Sequence, residues 1–331
     1  MKRFGLDGFI LGIGCMIALA WRWPSFGAKE SPYHLHTIVM WEIAGIFLLY
    51  GMGLGWRKLR DGVRLWQLHL VTQLSIFLIF PLFVFGLYTV FNTPEYHTLW
   101  VGTFYLATLP STVSSSVVMV AVAKGNVPAA IFNASLASVL GVFLTPAWMG
   151  WFLSRSVIPI DPMRAILAVS LQVLLPMAIG AALYPLCGAF VERHRHQTRL
   201  FDQSVVLLLV YTSFCDSFES GAFELFRPLT LLMLSAGMVT LFFVIYAVIS
   251  VICRMMRMNR KDAITARFCG SKKSLTHGTA IGAALFAGYS ELGVILLPLM
   301  LYHALQLIIV SVIAQKQARA DAAGNASGNP G

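Results

Sequence analysis

The chain has 331 residues, 58% of them hydrophobic and 11% charged, with a net charge of +10. A soluble domain carries about 25% charged residues, so a water-soluble fold this poor in charge could not cover its own surface, whereas lipid lets apolar side chains face outward. The positive balance does not point to nucleic acid, because the basic residues fall in short loops between apolar runs, as topology determinants do.

Apolar runs of the ~20 residues that a span requires recur along the chain. They predict helices over roughly 8–22, 37–55, 67–91, 99–122, 128–153, 165–188, 201–218, 228–252, 264–288 and 293–314. The opening Met1-Lys2-Arg3 followed by the run Phe9 to Trp21 reads as a first, short helix. The segment 315–331, rich in Ala, Gly, Asn and Ser, reads as a disordered cytoplasmic tail. With the N-terminus in the cytoplasm, 17 of the 24 Lys and Arg residues fall on the cytoplasmic side and 5 on the other, while Lys272 and Lys273 fall inside the ninth segment. That bias favours an all-α protein of ten transmembrane helices in the inner membrane with both termini cytoplasmic. Five is odd, so two consecutive blocks of five helices, 1–158 and 159–314, have opposite orientation, the arrangement of an inverted repeat.

The fourth and ninth segments correspond in the two halves and are the least uniform. One reads Thr108-Leu109-Pro110-Ser111-Thr112-Val113-Ser114-Ser115-Ser116, the other Cys269-Gly270-Ser271-Lys272-Lys273-Ser274-Leu275-Thr276-His277-Gly278-Thr279. Backbone that leaves the helix at membrane depth survives only where it lines a cavity or is buried in protein, and a matched pair of such segments points to a transport site. Ser114, Ser115 and Ser116 therefore read as ion ligands beside unwound carbonyls; taken singly, each reads as well as a hydroxyl bonding back one turn. Asn133, Ser135 and Ser138 offer oxygens that suit a hard cation, or hold helices together. Lys272 and Lys273 are costly at the bilayer centre and must face a cavity or a partner, unless the helix begins later and both snorkel to its edge. Asp216 is the candidate counter-charge, with an ordinary helix-end carboxylate as the alternative. Gln73, near Pro81, needs partners. His277 is a weaker candidate, and His303 beside Tyr302 weaker still. No nucleophile–base pair, metal-ligand spacing or phosphate loop is present, and the five cysteines show no CxxC spacing. Gly51-Met52-Gly53-Leu54-Gly55 reads as close helix packing.

These stretches, with Ala130-Ile131-Phe132-Asn133-Ala134-Ser135, Tyr211-Thr212-Ser213-Phe214-Cys215-Asp216 and Leu297-Pro298-Leu299-Met300-Leu301-Tyr302-His303, resemble the bile acid:sodium symporter family, specifically its divergent sodium/bile acid cotransporter 7-like branch. The resemblance implies a core domain containing the third to fifth and eighth to tenth helices, and a panel domain containing the others. It also implies broken fourth and ninth helices that cross at mid-membrane, substrate between panel and core, and two sodium ions behind the crossing. Gln73 matches the family's third-helix glutamine, and Ala123-Lys124-Gly125-Asn126 its loop. The better-known branch carries a glutamate and, four residues on, a glutamine where Thr276 and Ala280 stand here, and a serine–asparagine pair where Ser116-Val117 stand. One ion site has thus lost its carboxylate and the other an amide, while Lys273 adds a positive charge that could stand where a sodium ion stands in relatives. The function implied is secondary transport of an organic anion by alternating access, with sodium as the coupling ion and lipid and a small anionic solute as partners. The alternatives are proton coupling or exchange through Lys273, or a regulatory membrane protein that keeps the fold without turnover; no enzyme is expected.

Overall fold

A computed structural model describes residues 8–53, 65–112, 114–154, 167, 170–221, 228–287 and 289–327. Among them there is no strand. The helices run in order α1 (Gly8–Arg22), a single turn α2 (Pro24–Gly27), α3 (Leu35–Met52), α4 (Trp66–Phe91), α5 (His97–Thr108), α6 (Ser114–Val122) and α7 (Val127–Leu153). After these come α8 (Leu175–Arg193), α9 (Arg195–Glu219), α10 (Pro228–Met255), α11 (Arg260–Gly270), α12 (Leu275–Leu285) and α13 (Leu292–Ser327). Six of them, α3, α4, α7, α8, α10 and α13, are long and apolar enough to cross a membrane. Trp21, Trp41, Leu186, Phe190, Leu232 and Met233 stand exposed on the outside, a surface that lipid covers without cost. The protein is a multi-pass membrane protein.

The two segments rich in polar residues are each broken in two. The first break follows α5, where Leu109 turns extended (φ −71°, ψ 152°), because the ring of Pro110 disfavours helix for the residue before it. The second lies between α11 and α12, where Ser274 caps α12 by accepting from the His277 N–H. Arg57, Arg64, Arg155 and Arg164, which entered the expected loops, lie outside the described residues, as do Leu54 and Gly55 of the expected second helix and the stretch Met1–Asp7. The last helix runs past 314 to Ser327, through a run of Gln, Lys, Ala and Arg that are good helix formers.

Two devices fix the bundle. Gly51 on α3 and Gly180 on α8 let the two backbones meet: a Cβ on Gly51 would strike the Met177 carbonyl, and one on Gly180 the Leu48 carbonyl. Small residues at a close crossing are the usual solution in lipid. The second is a polar clasp between the start of α7 and the start of α11. Asn126 caps α7 and Asn259 caps α11. Their side-chain amides donate to the two oxygens of Asp262, at 2.8 and 2.6 Å, and the Asn126 N–H donates to Thr265 Oγ1 at 2.9 Å. Overfilling a tight contact costs about 1–3 kcal/mol or more. Gly180→Val is therefore expected to lower the melting temperature in detergent, whereas Gly86→Ala, whose Cβ would meet nothing within 4 Å, is expected to leave it unchanged.

Candidate functional site

The two breaks meet. The Ser274 N–H donates to the Pro110 carbonyl at 2.9 Å, joining one interrupted helix directly to the other. Ending α5 early strands its last carbonyls, and each finds a donor. Thr108 O accepts from Thr145 Oγ1 at 2.8 Å. Ala107 O and Leu109 O accept from the Lys273 ammonium at 2.6 and 2.8 Å. The third donor of Lys273 goes to Ile76 O at 2.9 Å, inside the π-helical turn Ser75–Ile79 of α4. The ammonium also lies 4.3 Å from the centre of the Phe80 ring, a favourable place for a cation. An ammonium has three donors and no acceptor, so Lys273 is saturated by backbone oxygen.

Helix α13 holds the second break. Gln306 spans Lys273 from both sides, accepting from its N–H at 2.9 Å and donating to its carbonyl at 2.7 Å. Tyr302 donates to Ser271 O at 2.6 Å, and Tyr105 on α5 donates to Gly278 O at 2.5 Å. Gly141 and Gly278 leave the space: a Cβ there would meet Pro110 at 2.7 Å or Leu109 at 2.5 Å.

Lys272 differs. Like Lys273 it is 0% exposed, but its ammonium donates to Ser115 Oγ at 2.7 Å and, among the described residues, to no other group. Ser115 and Ser116 both bond Thr112 Oγ1, at 2.6 and 3.0 Å, and the nearby hydroxyl of Ser111 is buried with no partner. Val113 and the Ser114 side chain lie outside the described residues. Among the described residues no carboxylate pairs with either lysine.

The remaining candidates separate into groups. Gln73 donates to the carbonyl and side-chain oxygens of Asn133 at 3.0 and 3.2 Å, tying α4 to α7. Ser138 bonds back to Ala134 O at 2.9 Å, the ordinary role of a helical serine, and Ser135 is half-buried on the same helix. Asp216 is not brought to the lysines. It accepts from the Lys29 N–H at 2.9 Å, fastening the end of α9 to the chain before α3, and lies 3.2 Å from His36 Nε2 at the start of α3. Thr276 and His277 belong to a further cluster. Thr276 donates to Asp202 Oδ2 at 3.2 Å, and Tyr50 donates to Oδ1 at 2.7 Å. The His277 ring stacks on Tyr50 at 4.8 Å.

Sequence reasoning missed Gln306 and Asp202. An amide buried in a long apolar helix was a signal for the first. The second was hidden by a boundary: a helix begun at residue 201 leaves Asp202 at its edge, whereas α9 begins at Arg195 and carries Asp202 about two turns inward.

The chain is similar to known proteins along nearly its whole length. The chain is 36% identical to Uncharacterized protein PA2026 of Pseudomonas aeruginosa, over 96% of this chain and 94% of that one. It is 32% identical to the protein YfeH of Escherichia coli, over 96% and 95%, and 29% identical to sodium/bile acid cotransporter 7 of Xenopus tropicalis, over 95% and 92%. A family model matches residues 7–319, nearly the whole chain, and on that ground the protein is a transporter, not an enzyme, and belongs to the SBF-like CPA transporter family.

Proposed function

We propose that the protein is a secondary transporter of a small organic anion that works by alternating access and needs no sodium, because Lys273 supplies the cation. The observation that carries this reading is the Lys273 ammonium on three backbone carbonyls at the meeting of the two breaks. Carbonyl oxygens converging on a buried point are what a hard cation takes as ligands, and here a tethered charge already holds them. The relatives named as sodium/bile acid cotransporters carry sodium in their name; in this chain Ser115 is turned to Lys272 and Thr276 to Asp202, and Gln73 donates to Asn133 while its own amide oxygen is buried with no partner among the described residues. Ser135 and Ser138 bring no further oxygen to that point.

In this reading ten helices cross an inner membrane, the broken pairs α5–α6 and α11–α12 counting as the fourth and ninth, with both termini cytoplasmic. Residues 1–158 and 159–314 form the inverted repeats. The core is built of α4 to α7 and α10 to α13, and the panel of α1, α3, α8 and α9. The anionic character of the substrate is supported by two buried lysines that no described carboxylate neutralises. Lys272 is the one that meets the anion: its single hydroxyl partner leaves two donors for a ligand, whereas Lys273 has none to spare.

Two outcomes test this. Gln306→Leu leaves the Lys273 N–H without a partner and its carbonyl with only the longer contact to His303 Nδ1 at 3.4 Å, and a buried group left unpaired costs about 1–3 kcal/mol, so the melting temperature in detergent is expected to fall below that of the wild type. For function, the purified protein is reconstituted in liposomes and offered radiolabelled taurocholate and short mono- and dicarboxylates. Uptake of at least one anion is expected, equal with a sodium or a potassium gradient. Lys272→Ala is expected to weaken its apparent affinity about ten- to hundredfold, the worth of a hydrogen bond to a charged group. If none of these anions enters, the protein keeps the fold without anion turnover; if uptake needs sodium, Lys273 does not replace the ion.

A further inference from the structure

We infer that Asp202 is a proton-carrying site of this transporter: ionised, its carboxylate clamps α12 to α3 and α9, and on taking a proton it loosens that clamp. The inference rests on the alternating-access reading above, in which α3 and α9 are panel and α12 is core. Asp202 is placed for such a role. It accepts from Tyr50 of α3 through one oxygen and from Thr276 of α12 through the other, so a single carboxylate joins three helices across the line along which panel and core must part. Thr276 is the second residue of α12, directly after the break, so movement of the crossing pulls on this bond first.

The chemistry follows from what a carboxylate can do. Ionised, it is acceptor-only and takes both hydroxyl donors at once. Such charge-assisted bonds are roughly twice as strong as neutral ones. A proton arriving from water on Oδ2 turns that oxygen into a donor. Thr276 Oγ1 must then turn its own hydrogen away and accept, and the bond from Tyr50 becomes a neutral one. Asp202, Tyr50 and Thr276 are each partly exposed. The groups that face the carboxylate are Tyr50 from α3, Thr276 and its neighbour His277 from α12, and Arg199 on α9 itself, which bears on it electrostatically. Among the described residues no charged group of α1, α2, α8 or α13 is among those acting on it. His277 Nε2 is buried without a partner among the described residues beside this cluster. Lys273 suits the task less well: with all three donors on carbonyls, giving up a proton would strand one of them.

The test uses full-length protein in liposomes and needs no substrate. Infrared difference spectra between neutral and acid pH are expected to show a carboxylic-acid carbonyl band in the wild type that is missing in Asp202→Asn and shifted in Tyr50→Phe. The asparagine also mimics the protonated acid in shape and hydrogen bonding. At neutral pH, hydrogen–deuterium exchange in Leu275–Leu285 is expected to be several-fold faster in Asp202→Asn than in the wild type, and at acid pH the two are expected to converge. A band that persists in Asp202→Asn, or a wild type with no band over the range, overturns Asp202 as the carrier. A band with identical exchange at both pH values overturns the clamp. If Asp202→Asn does not fold, the Tyr50→Phe shift decides, and an unshifted band overturns the proposal. Anion uptake is scored separately, so either idea can fail while the other stands.

Discussion

A helix broken inside a membrane protein leaves buried carbonyls that only the protein itself can satisfy, and that constraint governs the meeting of the two breaks. The end of α5 exposes four consecutive carbonyls, from Ala107 to Pro110, and every one is taken: two by Lys273, one by Thr145 and one by the backbone of Ser274. An unpartnered buried carbonyl costs several kcal/mol in hydrocarbon, and so does an ammonium stripped of water. Placed together, each removes the other's penalty. The rest follows from holding that contact: the π-helical turn of α4 offers Ile76 O, Gln306 fixes the Lys273 backbone, Tyr302 and Tyr105 secure the flanks of the second break, and Gly141 and Gly278 leave room for the first.

Adjacent lysines thus do different things. Lys273 is consumed by the fold, while Lys272 is buried but under-satisfied. Their side chains leave an irregular stretch of backbone, so neighbours in sequence reach different surroundings. The carboxylates, by contrast, lie away from them. Asp216 ties the far end of α9 to the segment before α3, and Asp202 joins α9 to α3 and α12. The lysines thus stand at the meeting of the two breaks and Asp202 at a joint between helices, the separation on which the proposed anion transport rests.

The helical pattern was legible because each apolar run is long and bounded by loops that carry charge. The two breaks were legible because Pro110 and the Gly270-to-Ser274 stretch interrupt otherwise apolar segments. Partner choice was not. Nothing in the sequence says that Lys273 reaches back to Ile76, which lies 197 residues away along the chain, or that Asp216 faces His36. The serine cluster was read as one site; Ser115 and Ser116 do share Thr112 Oγ1, but of the two only Ser115 also takes Lys272. Asp202 was overlooked through a helix start misplaced by about two turns, enough to make a half-buried carboxylate inside a helix read as an edge residue.

The most direct measurement is the melting temperature of the detergent-purified wild type and of Lys273→Ala across a sodium titration, with potassium holding ionic strength constant. A ligand that binds the folded state raises apparent stability as its concentration passes its dissociation constant. A tethered ammonium in the cation's place predicts a wild type indifferent to sodium against potassium. It also predicts that Lys273→Ala melts lower and gains a saturable, sodium-specific rise as the freed carbonyls take the ion. A saturable, sodium-specific rise in the wild type would contradict it.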